Sequence, residues 1–206
     1  EKINGENIDS IHAKAEITNS TSVMLTSIMG NENAIGYTSL GVLNDGVKAL
    51  EIDGVEPSIE NAKNNKYKIM RTFNIVTKNK VSKVAKDFIN YIMSKEGQQI
   101  VLKEKYISVN SKKYNSTKEK GKITIEGSSS VAPLMESLKE AYMEINQNAI
   151  IELQQNDSTT GINSTINGIC DIGMSSRELN KEEKSKNKVI MMDPAIGQVS
   201  MEKDLF

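Results

Sequence analysis

The stretch Gly127-Ser128-Ser129-Ser130-Val131 lies between a strand-like run at 122–126 and a helix-like run at 132–146. The first N–H groups of a helix have no partner within the helix, and the helix dipole places partial positive charge at the same end. Serine hydroxyls at such a terminus add neutral donors. The stretch therefore predicts a strand, loop and helix whose loop can hold a small oxyanion.

Two more units of the same kind follow along the chain. A strand at 150–154 leads through a loop at 156–161 into a helix at 162–167, and a strand at 171–174 leads into the loop Ser175-Ser176-Arg177. Alternating short strands and helices are typical of a parallel α/β sheet, which binds ligands at the carboxyl ends of its strands. The three hydroxyl-rich loops are therefore expected to meet at one edge of the sheet.

The candidate anion-binding residues are six serines of these loops and one cation: Ser128, Ser129, Ser130, Ser158, Ser175, Ser176 and Arg177. Each serine has an alternative role, because serine is a preferred residue at helix N-termini. Arg177 would bind an oxyanion through its guanidinium fork, or it would pair on the surface with Glu178 or Glu182. The convergence of three such loops favours a binding site over three separate helix caps.

Composition argues against several other functions. The chain has 206 residues, with 26 Lys+Arg against 27 Asp+Glu, so no excess of positive charge attracts nucleic acid. It has no Trp and only three Phe, so aromatic side chains on which bases could stack are nearly absent. One cysteine, Cys170, and one histidine, His12, cannot form a disulfide or a multi-cysteine or histidine-rich metal site. A serine nucleophile would have only His12 as its base. We therefore expect no enzyme activity, no cofactor, no bound metal and no nucleic-acid partner.

The first half of the chain predicts further elements. Helices are expected at 19–29, 59–64, 82–93 and 95–105, and strands at 34–38, 47–52 and 70–77. The polar run 110–121 breaks all periodicity and predicts a solvated linker. No apolar run approaches the roughly 20 residues that a membrane-spanning helix requires.

Several stretches resemble the substrate-binding protein of the ABC-type phosphate importer. They are Gly-Ser-Ser-Ser-Val-Ala-Pro-Leu-Met-Glu at 127–136, Gly-Ile-Cys-Asp-Ile-Gly-Met-Ser-Ser-Arg-Glu-Leu at 168–179 and Asn-Ala-Ile-Gly-Tyr-Thr-Ser-Leu-Gly at 33–41, with further matches at 47–57 and 85–98. Segments similar to the family's C-terminal half, at about 1–110, precede a segment similar to its N-terminal part, at about 121–193. The order is therefore permuted or that of a tandem junction. The family's Arg and Ser-Gly-Thr loop, which closes on phosphate from the opposite side, has no match.

The resemblance implies a domain organisation as well as a fold. It implies a periplasmic-binding-protein-like (type II) α/β lobe, with a mixed, mainly parallel sheet flanked by helices, and a reduced second lobe. Residues 66–109 and 121–193 would form the main lobe and 1–65 the second, with a linker at 110–120 and a tail of open role at 194–206.

For function, the resemblance implies that Ser129, Ser130, Ser158 and Ser176 donate to phosphate oxygens. It also implies that the chain is the solute-binding component of an importer. Its partners would be inorganic phosphate and an ABC permease. Its location would be the extracellular face of the membrane or the periplasm, with a lipid anchor outside this sequence. The alternative is a scaffold that does not bind, or an incomplete lobe that self-associates to complete its cleft.

Overall fold

The computed structural model describes residues 2–3, 6–7 and 12–203, and at 2–3, 6–7, 191 and 193–203 the description is of the backbone. The other residues of the predicted second lobe and tail, at 1, 4–5, 8–11 and 204–206, lie outside the described residues. The strands are β1 (Lys2–Ile3), β2 (Glu6–Asn7), β3 (Ile35–Ser39), β4 (Val47–Ala49), β5 (Met70–Thr77), β6 (Gly121–Ser128), β7 (Ala149–Asn156), β8 (Ile172–Ser175) and β9 (Lys188–Lys203). The helices are α1 (Thr21–Met29), α2 (Ile59–Lys63), α3 (Lys83–Ile92), α4 (Lys95–Lys103), α5 (Ala132–Ile145), α6 (Ser158–Asn167) and α7 (Lys181–Lys186), with a 3-10 turn at Leu40–Val42. Among the described residues, no helix has the length and apolar content needed to cross a bilayer.

Serine side chains fix the starts of the first four helices. In each, the serine before the first helical residue accepts a hydrogen bond from a backbone N–H of the first turn, and these residues are Ser20, Ser58, Ser82 and Ser94. Such a cap contributes about 1 kcal/mol because it satisfies a donor that the helix leaves unpaired. Short polar signals therefore set the boundaries of helices in this half of the chain.

The predicted fold class is confirmed: the chain forms a mixed sheet flanked by helices. Seven strands form this sheet in the order β3-β9-β5-β8-β6-β7, and β4 also pairs with β9. The three strands of the predicted alternating region, β8, β6 and β7, run parallel to one another. The strands that extend the sheet beyond β8, namely β5, β9, β3 and β4, join through antiparallel pairings.

Helices cover both faces of the main part of the sheet. Neighbouring residues of β5 point to opposite faces, and Ile75 and Val76 accordingly belong to two different buried clusters. The larger cluster contains residues of α3, α4 and α5 together with β5, β6, β7 and β8. Because it draws on both 66–109 and 121–193, this packing supports the proposal that the two segments form one lobe.

The long strand β9 connects the main lobe to a smaller unit. Its first part pairs with β5 from Lys188 to Gly197, and its last part pairs with β3 and β4 from Gln198 to Lys203. The smaller unit has its own cluster, in which Leu25, Ile28 and Val47 are buried. The tail whose role the sequence left open is therefore largely strand, as far as residue 203.

The predicted linker at 110–120 contains neither a helix nor a strand of the sheet, but it is held against the main lobe. The Tyr114 hydroxyl donates to Asp87 Oδ2 at 2.8 Å, and the Thr117 N–H donates to Asp87 Oδ1 at 3.2 Å. Asp87 is buried and also accepts from the Tyr142 hydroxyl at 2.9 Å. Burial, with this hydrogen bond, raises the pKa of Tyr142 to about 12, so its hydroxyl stays a donor at neutral pH.

Three glycines allow α6 to pack directly on the backbone of β6 and β8. A methyl group added at Gly161 would lie 2.6 Å from the Glu126 carbonyl oxygen and 2.7 Å from the Gly127 Cα. One added at Gly173 would lie 2.6 Å from the Gly161 carbonyl oxygen. Gly127 has a φ of 136°, which favours glycine, and a side chain there would strike the Met174 backbone. These positions leave no room for any side chain.

We predict that Gly161→Ala lowers the free energy of unfolding by about 1–3 kcal/mol, because the new methyl group meets backbone that has no way to rotate aside. Urea denaturation followed by circular dichroism measures the change. Gly30→Ala is the matched control, since Gly30 ends α1 at a φ of −82° that alanine adopts readily, and its change should stay within about 0.5 kcal/mol. Equal effects at the two sites would contradict the close packing of α6.

We predict that Asp87→Ala lowers the free energy of unfolding by about 2–3 kcal/mol, because it leaves the Tyr114 and Tyr142 hydroxyls without their acceptor. Urea denaturation again provides the measurement. Asp45→Ala is the control at an exposed turn, with an expected change within about 0.5 kcal/mol. A loss at Asp87 no larger than that at Asp45 would show that the buried carboxylate does not hold the 110–120 segment.

Candidate functional site

A cleft of about 380 Å³ lies between the two parts of the molecule. One wall is formed by the segment 15–21, with Met24 of α1 and Tyr37 and Thr38 of β3. The other wall is formed by 128–130, 156–158 and Ser176. The carboxyl ends of β6 and β7 and the residue that follows β8 therefore open into the same space.

The predicted meeting of three serine loops is observed as direct hydrogen bonding. The Ser128 hydroxyl donates to Ser176 Oγ at 2.9 Å, and the hydroxyls of Ser158 and Ser176 lie 3.4 Å apart. The Ser176 N–H donates to Ser158 Oγ at 3.1 Å. Residues 18 and 48 positions apart in the chain thus form one polar cluster on the wall of the cleft.

The start of α5 offers donors beside this cluster. No side chain caps α5, unlike the other six helices, and Pro133 stands in its first turn. The Ser129 N–H is taken by the Asn156 carbonyl at 2.9 Å, and the Ser129 hydroxyl lies 3.2 Å from Thr21 Oγ1 of the opposite wall. An uncapped helix start that opens into a cleft favours an anion at that position.

Helix α6 begins earlier than the sequence predicted. Asp157 caps it by accepting from the Thr160 N–H, so Ser158 is its first residue, whereas the prediction placed 156–161 in a loop and began the helix at 162. Hydrogen bonds from Thr160 hold the pKa of Asp157 below its usual value. The cleft wall therefore carries an ionised carboxylate next to the serine cluster.

Two of the seven candidate residues lie outside the cleft lining. The Ser175 hydroxyl is buried and donates to the Arg177 carbonyl at 2.8 Å. The Arg177 guanidinium donates to both carboxylate oxygens of Glu183, at 2.8 and 2.9 Å, and this pairing lowers the pKa of Glu183. Arg177 is thus a surface-pairing residue, with Glu183 rather than the expected Glu178 or Glu182 as its ion-pair partner, because α7 starts with a capping box that orients Glu183.

The cation that lines the cleft is Arg71, which the sequence reasoning did not select. It lies on β5, and its Nη2 donates to Ser130 Oγ at 2.9 Å. Burial lowers the pKa of the Arg71 guanidinium. A lone arginine in a predicted strand gives no local signal of a binding role.

Comparison with known proteins finds similar sequences. A family model described as "PBP superfamily domain" matches residues 112–199. A "Phosphate-binding protein PstS 2" of Streptococcus agalactiae is 52% identical over 184 residues, covering 88% of this chain and 63% of the relative. A protein of the same name from Streptococcus pneumoniae is 45% identical over 178 residues, covering 85% of this chain and 61% of the relative.

The match covers less of the Streptococcus agalactiae relative than of this chain. The chain spans about 63% of the length of that relative.

A solved structure gives the same result in three dimensions. The crystal structure of a phosphate ABC transporter, phosphate-binding protein from Streptococcus pneumoniae superposes with a TM-score of 0.78 at 40% sequence identity. The superposition covers 99% of this chain and 80% of that one. Sequence and backbone agree, and the chain belongs to the family of phosphate-binding proteins of ABC transporters.

Proposed function

We propose that the chain binds inorganic phosphate in the cleft, as part of the solute-binding component of an ABC phosphate importer. The phosphate would lie against the serine cluster and the start of α5, with Ser128, Ser129, Ser130, Ser158 and Ser176 as the hydroxyl donors. Ser175 and Arg177 are not included, because one is buried against the Arg177 carbonyl and the other is paired with Glu183.

One observation carries the proposal: on one wall of the cleft, the Ser176 hydroxyl lies within hydrogen-bonding distance of the hydroxyls of Ser128 and Ser158, which belong to two other loops. These hydroxyls have neutral partners, and they are readily redirected to a charged ligand because hydrogen bonds to an anion are stronger than neutral ones. The buried Thr38 adds a polar atom, because its Oγ1 has no hydrogen-bond partner within the described part of the chain. The names of the relatives point to the same ligand.

The wider role follows from the family. A solute-binding component delivers its ligand to a permease, so the partner would be the membrane-spanning part of an ABC importer. The protein would then act outside the cytoplasmic membrane, held there by a lipid anchor in the full-length form, and it would be a binding protein without enzymatic activity. The chain spans about 63% of its relative, and these statements concern the whole protein.

We predict that phosphate binds with measurable heat in isothermal titration calorimetry and that Ser158→Ala weakens its affinity about tenfold, the loss of one hydrogen bond to a charged group. Ser158 is chosen because its hydroxyl also accepts from the Ser176 N–H, so the variant disturbs two of the three loops.

Ser111→Ala is the matched control, because Ser111 is exposed and does not line the cleft. Its affinity should stay within about twofold of the unmodified chain. Absence of heat with millimolar phosphate would overturn the proposal, and equal affinities for the two variants would remove Ser158 from the site.

A further inference from the structure

Arg71 is the only lysine or arginine among the described residues that line the cleft. It lies near the start of β5, where the pairing with β9 shifts register between Arg71 and Phe73 and again between Phe73 and Asn74. Its side chain lines the cleft together with Ser129 and Ser130 of the main lobe. The residue therefore stands where the main sheet passes toward the smaller unit, facing the proposed ligand position.

The positive charge of Arg71 is not neutralised within the described part of the chain. No carboxylate there forms an ion pair with its guanidinium, whereas Arg177 is paired with Glu183. An arginine keeps its charge at every physiological pH, and a partly buried charge without a counter-ion is costly. An anion in the cleft would remove that cost.

One edge of the Arg71 guanidinium, formed by Nε and Nη2, also lacks a full set of hydrogen-bond acceptors. Nε–H and Nη2–H point the same way from the guanidinium and match two oxygens of an oxyanion. Nη2 donates to the neutral Ser130 hydroxyl, while Nε is buried and has no acceptor among the described residues. This edge therefore has two donors and only one neutral acceptor.

We propose that Arg71 is the charge-compensating ligand of the cleft, binding two oxygens of a tetrahedral oxyanion through Nε and Nη2 in place of its contact with Ser130. The inference rests on the proposed function and adds to it the cation that recognises the ligand. The Ser130 hydroxyl, released from Arg71, turns to the same anion. Ligand binding then connects β5 with the loop before α5 through the anion itself.

The test is phosphate titration calorimetry on four proteins: the unmodified chain, Arg71→Gln, Arg71→Lys and the control Arg177→Gln. Arg71→Gln should weaken phosphate affinity about 10- to 100-fold, as expected for lost charge-assisted hydrogen bonds. Arg71→Lys should keep a charge but lose the paired donors, giving an intermediate affinity. Arg177→Gln removes the same charge outside the cleft lining and should stay within about twofold.

Salt dependence separates a ligand from a residue that only shapes the fold. Phosphate affinity of the unmodified chain and of Arg71→Lys should fall as sodium chloride rises, because the ligand meets a fixed positive charge, and this dependence should be weaker in Arg71→Gln. A purely structural arginine would change affinity without changing its dependence on salt. Thermal unfolding by circular dichroism verifies that each variant is folded.

The possible failures are distinguishable. If the unmodified chain gives no heat with phosphate, the proposed function and this inference both fall. If it binds and Arg71→Gln binds equally well with the same salt dependence, only the role of Arg71 is overturned. If Arg71→Gln does not fold, Arg71→Lys decides: unchanged affinity would exclude the two-oxygen contact, and a clear loss would support it.

Discussion

The site depends on one packing constraint, the contact of α6 with the backbone of β6 and β8. Gly127, Gly161 and Gly173 lie against one another's backbone with no space for a side chain. This contact brings the start of α6 to the ends of both strands, and it is why Ser158 can reach Ser176. A larger residue at any of the three positions would move the loops apart, although it would not contact the hydroxyls directly. The glycines therefore create the site, and the serines line it.

Within that frame the serine cluster is arranged so that a ligand can replace its internal bonds. Ser128 donates to Ser176, and Ser158 accepts from the Ser176 N–H. These contacts satisfy the hydroxyls without using a charged partner, so little free energy is lost when an anion takes them over. Arg71 differs, because a neutral serine leaves its charge uncompensated. The serines give the cleft its shape for an oxyanion, whereas Arg71 gives it the preference for negative charge.

Local signals in the sequence were sufficient for the fold class and for the serine loops, and insufficient for the cation. The run at 127–131 lies between a predicted strand and a predicted helix. Its position at the ligand-binding edge of the sheet follows from this, because parallel strands of one sheet end at one edge. Arg71 has no such signal, since it enters the cleft only through the pairing of β5 with β8 and β9, which are far away in sequence. Arg177 follows Ser176 directly in the chain, which predicts a place in the site, but the capping box of α7 directs Glu183 toward its guanidinium. The predicted start of α6 at 162 is wrong because Asp157 caps the helix and makes Ser158 its first residue.

The order of the two segments matters less to the site than their contacts. In the sheet, β5 of the first segment lies between β8 and β9 of the second, and the larger buried cluster mixes residues of both. Neither the strand order nor the buried cluster requires that one segment precede the other, provided that the connection at 110–120 can run along the surface. The bonds from Tyr114 and Thr117 to Asp87 hold that connection on the main lobe. The cleft is defined by strand neighbours and by three glycine contacts, so it does not depend on which of the two segments comes first in the chain.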